Sequence, residues 1–111
     1  MLEIRTYTLA SVEALDQYAS VHWKRHIPSL AAHGITTHHV WREVAADVPR
    51  LVALVEYDNG ADPAEATKTF MHSAEFAADM AGFDPSGIVD VRSVFVEPAP
   101  ADPSRSDSAH R

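Results

Sequence analysis

Two hydrophobic periods alternate along this chain in a fixed order, and that order restricts the fold more than any other property. Leu2 to Thr8 has period two, with Leu2, Ile4 and Thr6 on one side and Glu3, Arg5 and Tyr7 on the other, the pattern of a half-exposed strand. Ser11 is a good N-cap. After it Leu15, Tyr18, Ala19, His22 and His26 fall at three- and four-residue steps, the face of a helix. Pro28 is expected to interrupt that helix and open a short second one, Pro28 to His33, ended by Gly34. Ile35 to Val44 and Leu51 to Tyr57 read as strands joined by the short connection Ala45 to Pro49, hence a hairpin. Asp58-Asn59-Gly60 is a turn signal, and Asp62-Pro63-Ala64-Glu65 a strong helix start running to about His72. Ser73 caps a further helix carrying Phe76 and Met80, closed by Gly82. Ile88 to Glu97 is the last strand.

The order is strand, helix, strand, strand, helix, strand. It predicts an α+β domain of ferredoxin-like βαββαβ type, with a four-stranded antiparallel sheet and helices on one face. The other face, rich in Val, Leu, Trp and Phe, is poorly suited to water. Packing two such sheets face to face would bury it, which predicts a homodimer. Pro98 to Arg111 holds no large apolar residue and is expected to be a disordered tail. The domain is therefore expected over residues 1–97 and the tail over 98–111.

Composition narrows the partners. Nine Lys and Arg against sixteen Asp and Glu give a net charge of −7, which disfavours nucleic acid and anionic lipid surfaces. There is no cysteine, so disulfides, thiolate metal sites and thiol nucleophiles are out. No apolar run approaches a membrane span, and the start Met1-Leu2-Glu3-Ile4-Arg5 is not that of a signal peptide. With Arg preferred to Lys, the expectation is a bacterial cytoplasm. There is no dinucleotide or phosphate-binding glycine loop and no GxSxG elbow.

Seven histidines supply groups that titrate near neutrality. His22 and His26, four apart, could share a divalent metal, but the run His22-Trp23-Lys24-Arg25-His26 lacks the HExxH glutamate and a neighbouring carboxylate. The alternative is a half-buried helix face lining a pocket. His38 and His39 are adjacent on a strand and should face opposite sides, His39 with Trp41 and His38 with Arg42. Arg5 on an apolar sheet needs a partner: either an ion pair with Glu3, Glu56 or Glu97, or a bound anionic or enolate oxygen with Tyr7 as second donor. Trp23, Trp41, Phe70, Phe76 and Met80 are core residues or the aromatic wall of a pocket. No cofactor is implied.

Several segments resemble the NIPSNAP family of dimeric α/β-barrel proteins. They are Glu3-Ile4-Arg5-Thr6-Tyr7-Thr8-Leu9, His26-Ile27-Pro28-Ser29-Leu30, His33-Gly34-Ile35, Trp41, Glu75-Phe76, Asp79-Met80 and Ser93-Val94-Phe95-Val96-Glu97-Pro98. The resemblance implies a ferredoxin-like protomer and a dimer with facing sheets, and no particular reaction. The mitochondrial location of animal relatives is not carried over, since no basic, Ser-rich leader is present. The wider superfamily includes cofactor-free monooxygenases of polyketide quinols, a polyketide cyclase type, muconolactone isomerases and haem-binding members. The junction Phe70-Met71-His72-Ser73-Ala74-Glu75-Phe76 also resembles the His-Pro-x-His-type helix junction of stress-responsive barrel proteins and the cyclase, with Glu75 where the basic histidine would stand and no Pro after His72.

These readings combine into an expected function: a cofactor-independent small-molecule enzyme, in secondary metabolism, doing proton-transfer chemistry (cyclisation, isomerisation, dehydration or oxygenation) on an aromatic or polyketide-like substrate. His72, Glu75 and His26 are its candidate acid–base groups. Arg5, Tyr7, Tyr18, His22, Trp23, His39, Trp41, Phe76 and Met80 are its candidate substrate contacts. The alternatives are a non-catalytic dimer that binds a ligand or partner and, less favoured, a metal- or haem-binding protein.

Overall fold

The computed structural model describes residues 1–44 and 47–105. Strand β1 spans Leu2–Leu9, and helix α1 spans Val12–Gln17. A π-helical turn, Tyr18–His22, joins α1 to α2, Trp23–Ala32. Strands β2, Ile35–Arg42, and β3, Arg50–Tyr57, form the hairpin. Then come α3, Pro63–Met71, α4, Ala74–Asp79, and β4, Ile88–Val96. The sheet is wholly antiparallel in the order β2-β3-β1-β4. This is the expected ferredoxin-like α+β fold.

The caps act as their residue types require. Ser11, Asp62 and Ser73 each accept from backbone N–H groups of the first turn they open, at Ala14, at Ala64 and Glu65, and at Phe76. On the sheet face beneath the helices, Glu3, Arg5, Tyr7 and Leu9 of β1 alternate with half-buried neighbours. Leu51, Ala53, Val55 and Tyr57 of β3 do the same. These meet Leu15, Tyr18, Trp23, Leu30 and Phe70 from the helices to form the core.

Two expectations need correction. Pro28 does not interrupt the chain but lies inside α2. Proline there removes one helical hydrogen bond, yet α2 buries Trp23, His26 and Leu30 along one stripe, and keeping that stripe on the sheet outweighs the missing bond. Upstream, the Trp23 N–H bonds to the Tyr18 carbonyl, five residues back, so the helix widens by a residue just before α2. On β2 the register shifts between Thr37 and His39. This bulge leaves Ile35, Thr37 and Val40 opposite the inward residues Tyr57, Val55 and Ala53, and turns His39 and Trp41 to the outer face. His38 also reaches outward, to Glu56 at 2.7 Å. The two histidines therefore share one side of the sheet.

The outer face is apolar at its centre. Trp41 remains 46% exposed and Val94 58%, beside Ile4, Val52 and Leu54. Beyond β4 the described residues include a 3-10 turn at Pro103–Arg105. Part of the expected connection at 45–49 and the last part of the expected tail, 106–111, lie outside the described residues. Among the described residues no helix is long and apolar enough to cross a membrane.

Candidate functional site

A cavity of about 400 Å³ lies between the helices and the inner face of the sheet, within the range of small-molecule sites. β1 contributes Glu3, Arg5 and Tyr7, and β4 contributes Ile88, Val91 and Ser93. The π turn and α2 supply Tyr18, Trp23, His26 and Leu30. Thr67, Phe70 and Met71 come from α3, Phe76 from α4 and Met80 from its C-terminal cap. The alternation of β1 and the widened turn before α2 are what aim these side chains at one space.

One wall carries a histidine–carboxylate pair. His26 Nδ1 lies 3.0 Å from Asp79 Oδ2. A carboxylate only accepts, so Nδ1 carries the proton and Nε2 is the nitrogen left for a bound molecule. Ser29 Oγ donates to the other oxygen, Oδ1, at 3.1 Å. The imidazole stacks on Phe76 with ring centres 5.7 Å apart and planes 2° from parallel. Phe70, Trp23 and Tyr18 meet it edge-on. Burial lowers the His26 pKa from its ordinary value; Asp79 opposes that shift without cancelling it. At neutral pH the ring is therefore uncharged and able to accept a proton.

The opposite end is polar but internally paired. Arg5 Nε donates to Glu3 Oε1 at 2.7 Å, and Nη2 donates to Tyr57 Oη at 2.8 Å and Thr67 Oγ1 at 3.3 Å. Glu3 also accepts from Tyr57 at 2.5 Å and from Ser93. Burial alone would raise the Glu3 carboxyl. Hydrogen bonds from Ser93, Tyr57 and Arg5 outweigh it and hold the group below its usual range. Of the partners offered for Arg5 by the sequence, the fold selects Glu3. Tyr7 and Tyr18 lie between the two ends, ring centres 5.3 Å apart. Burial pushes both phenols up, so they stay protonated.

Seven of the expected site residues converge on this cavity: Arg5, Tyr7, Tyr18, Trp23, His26, Phe76 and Met80. Five lie elsewhere. His72 caps the end of α3, exposed, with Nδ1–H donating to the Lys68 carbonyl at 2.9 Å. Glu75, also exposed, pairs with His33 at 3.0 Å, and that hydrogen bond lowers its pKa, away from the range a general base needs. His22 is buried but does not line the cavity; its Nδ1–H donates to the Asp79 carbonyl at 2.8 Å, and Gln17 Nε2 approaches its other nitrogen at 3.2 Å. His22 and His26 thus both serve Asp79. Among the described residues no group of three or more His, Cys, Asp or Glu is arranged to hold a metal ion. His39 and Trp41 stack on each other, 4.8 Å apart, on the outer face.

Asp79 was not among the expected site residues, although it is part of a motif that carries the family resemblance. No local pattern announces it, because its partners lie 50 and 53 positions away. Thr67 and Ser93 line the cavity for the same non-local reason, and Phe70 stands in its wall as the sequence allowed.

Comparison with known proteins agrees with this architecture. A NIPSNAP domain protein from Burkholderia xenovorans superposes with a TM-score of 0.71 at 17% identity, over 92% of this chain and 97% of that one. A NIPSNAP family protein from Agrobacterium tumefaciens superposes with a TM-score of 0.73 at 20% identity, over 92% and 90%. An antibiotic biosynthesis monooxygenase shares the fold more distantly, with a TM-score of 0.55 at 15% identity, over 90% and 100%. No curated protein matches the chain. The NIPSNAP family model matches residues 2–103, nearly all of the described chain, and the protein belongs to the NIPSNAP family.

Proposed function

We propose that the cavity is the active site of a cofactor-independent enzyme that transfers a proton on an aromatic or polyketide-like small molecule. The observation that carries this reading is His26, bonded to Asp79 behind it, at the wall of an aromatic cavity. His26 Nε2 takes a proton from a carbon or hydroxyl made acidic by a neighbouring carbonyl. The imidazolium so formed is held by Asp79 through Nδ1–H, while the negative charge moves onto the substrate oxygen, within reach of the Tyr7 and Tyr18 hydroxyls. Returning the proton elsewhere on the molecule completes an isomerisation or cyclisation. The fold shared with an antibiotic biosynthesis monooxygenase supports the substrate class. The working unit is a homodimer joined through the apolar outer face around Trp41 and Val94.

The test is α-proton exchange of a bicyclic ketone, 2-tetralone, in D2O, followed by NMR. Wild-type protein should accelerate exchange above the buffer rate, and His26→Gln should return it to that rate. His72→Ala should match wild type. Full activity in His26→Gln, or its loss in His72→Ala, would remove the assignment.

A further inference from the structure

Arg5 is the only cation among the described residues that line the cavity, and its charge is already matched. Glu3 sits 2.7 Å from its Nε, with both side chains about nine-tenths buried. The Nη2 group is spent on Tyr57 and Thr67. Glu3 is itself saturated by Tyr57, Ser93 and Arg5. At the other wall stands His26, which burial keeps neutral, with the buried Asp79 carboxylate bonded to its Nδ1–H and not itself lining the cavity. A bound anion would meet a guanidinium already neutralised by the lining carboxylate of Glu3 and no other cation among the described lining residues, after leaving its hydration behind.

We infer that this cavity selects uncharged molecules over carboxylates and other anions, and that Glu3 sets the selection by neutralising Arg5. The inference rests on the cavity being the ligand site proposed above. Arg5 braces β1 against Tyr57 and α3 and is not an anion receptor. Specificity of this kind works by exclusion, through an unfavourable state imposed on the wrong ligand.

The experiment compares three bicyclic probes by calorimetry: 2-tetralone (neutral ketone), tetralin (no oxygen) and 1,2,3,4-tetrahydro-2-naphthoate (carboxylate). Wild-type protein should bind 2-tetralone at least about tenfold more tightly than the carboxylate. Glu3→Gln, which keeps hydrogen-bonding capacity and frees the Arg5 charge, should narrow or invert that ratio. The double variant Glu3→Met with Arg5→Met, which removes both charges together, should preserve the preference for the ketone. That variant keeps the question decidable if Glu3→Gln does not melt cooperatively. Carboxylate binding equal to ketone binding in wild type would overturn the inference. So would a ratio unmoved in a folded Glu3→Gln protein, or a double variant that gains carboxylate preference. If none of the probes binds, the ligand-site reading falls and takes this with it. If the ketone is preferred but no exchange occurs, the proposed reaction falls alone and the selection stands.

Discussion

His26 Nδ1 and Asp79 Oδ2 are 3.0 Å apart although 53 positions separate them in the chain. The contact ties α2 to the end of α4 and fixes which imidazole nitrogen carries the proton. Asp79→Asn should leave the fold in place but lower proton exchange about 10- to 100-fold, since the amide neither holds the tautomer as firmly nor stabilises the imidazolium. His26→Gln should do more. An exchange rate in Asp79→Asn equal to wild type would show that Asp79 does not orient the base.

The same ring governs stability in mild acid. The unfolded chain takes up a proton at His26 near its ordinary value of 6.5, whereas the folded chain resists it to lower pH because the ring is buried. Below that value the unfolded state holds more protons, so stability falls as pH drops from about 6.5 toward the folded-state pKa. The melting temperature should therefore decline over that interval, and less steeply in His26→Gln. Parallel curves for the two proteins would contradict this.

Glu3 and Arg5 make an asymmetric prediction. Glu3→Ala leaves a buried guanidinium without its carboxylate and should cost about 3–5 kcal/mol in denaturant unfolding. Replacing both residues with Met should cost much less than the single change. Additive losses would mean that the two side chains do not depend on each other.

The outer sheet face supplies a further test. Val94→Asp places a charge at the centre of the surface proposed to join two protomers. Sedimentation equilibrium should show wild-type dimer and a variant shifted to monomer at micromolar concentration. A wild-type monomer would leave the apolar face without its proposed cover.

Pro28→Ala should stabilise the protein. It restores a helical N–H inside α2, at a gain of about 2 kcal/mol after the extra freedom of the unfolded chain is subtracted. A loss of stability would mean that the fixed proline angle is needed where α2 follows the π turn.

Pro28 also marks what the sequence conveys and what it does not. Local signals were legible: the alternation of β1, the caps Ser11, Asp62 and Ser73, and the run of inward residues in β3 each depend on near neighbours, and each element formed where its pattern lay. Features set by distant packing were not. Whether α2 continues through Pro28 depends on Trp23, His26 and Leu30 finding a sheet to cover. The bulge at His38 depends on the register of β3, and it sent His39 and Trp41 to the face away from the cavity. Seven expected site residues reached the cavity because helix and strand periodicities already grouped them. His72 and Glu75 did not, because a resemblance at a helix junction carries no information about which way the junction points.

Asp79 is gripped twice. Its carboxylate is held by His26 and Ser29, and its carbonyl by His22 and Arg25. Gln17 and Arg25 go on to clasp the carbonyls of Gly82 and Ala81 just beyond. One position thus closes a helix and aims an imidazole. The two grips are separable: any residue at this position keeps the carbonyl that closes α4, whereas only a side chain that accepts from Nδ1–H keeps the orientation of His26, so the chemistry of this pocket can drift at position 79 while the helix terminus stays.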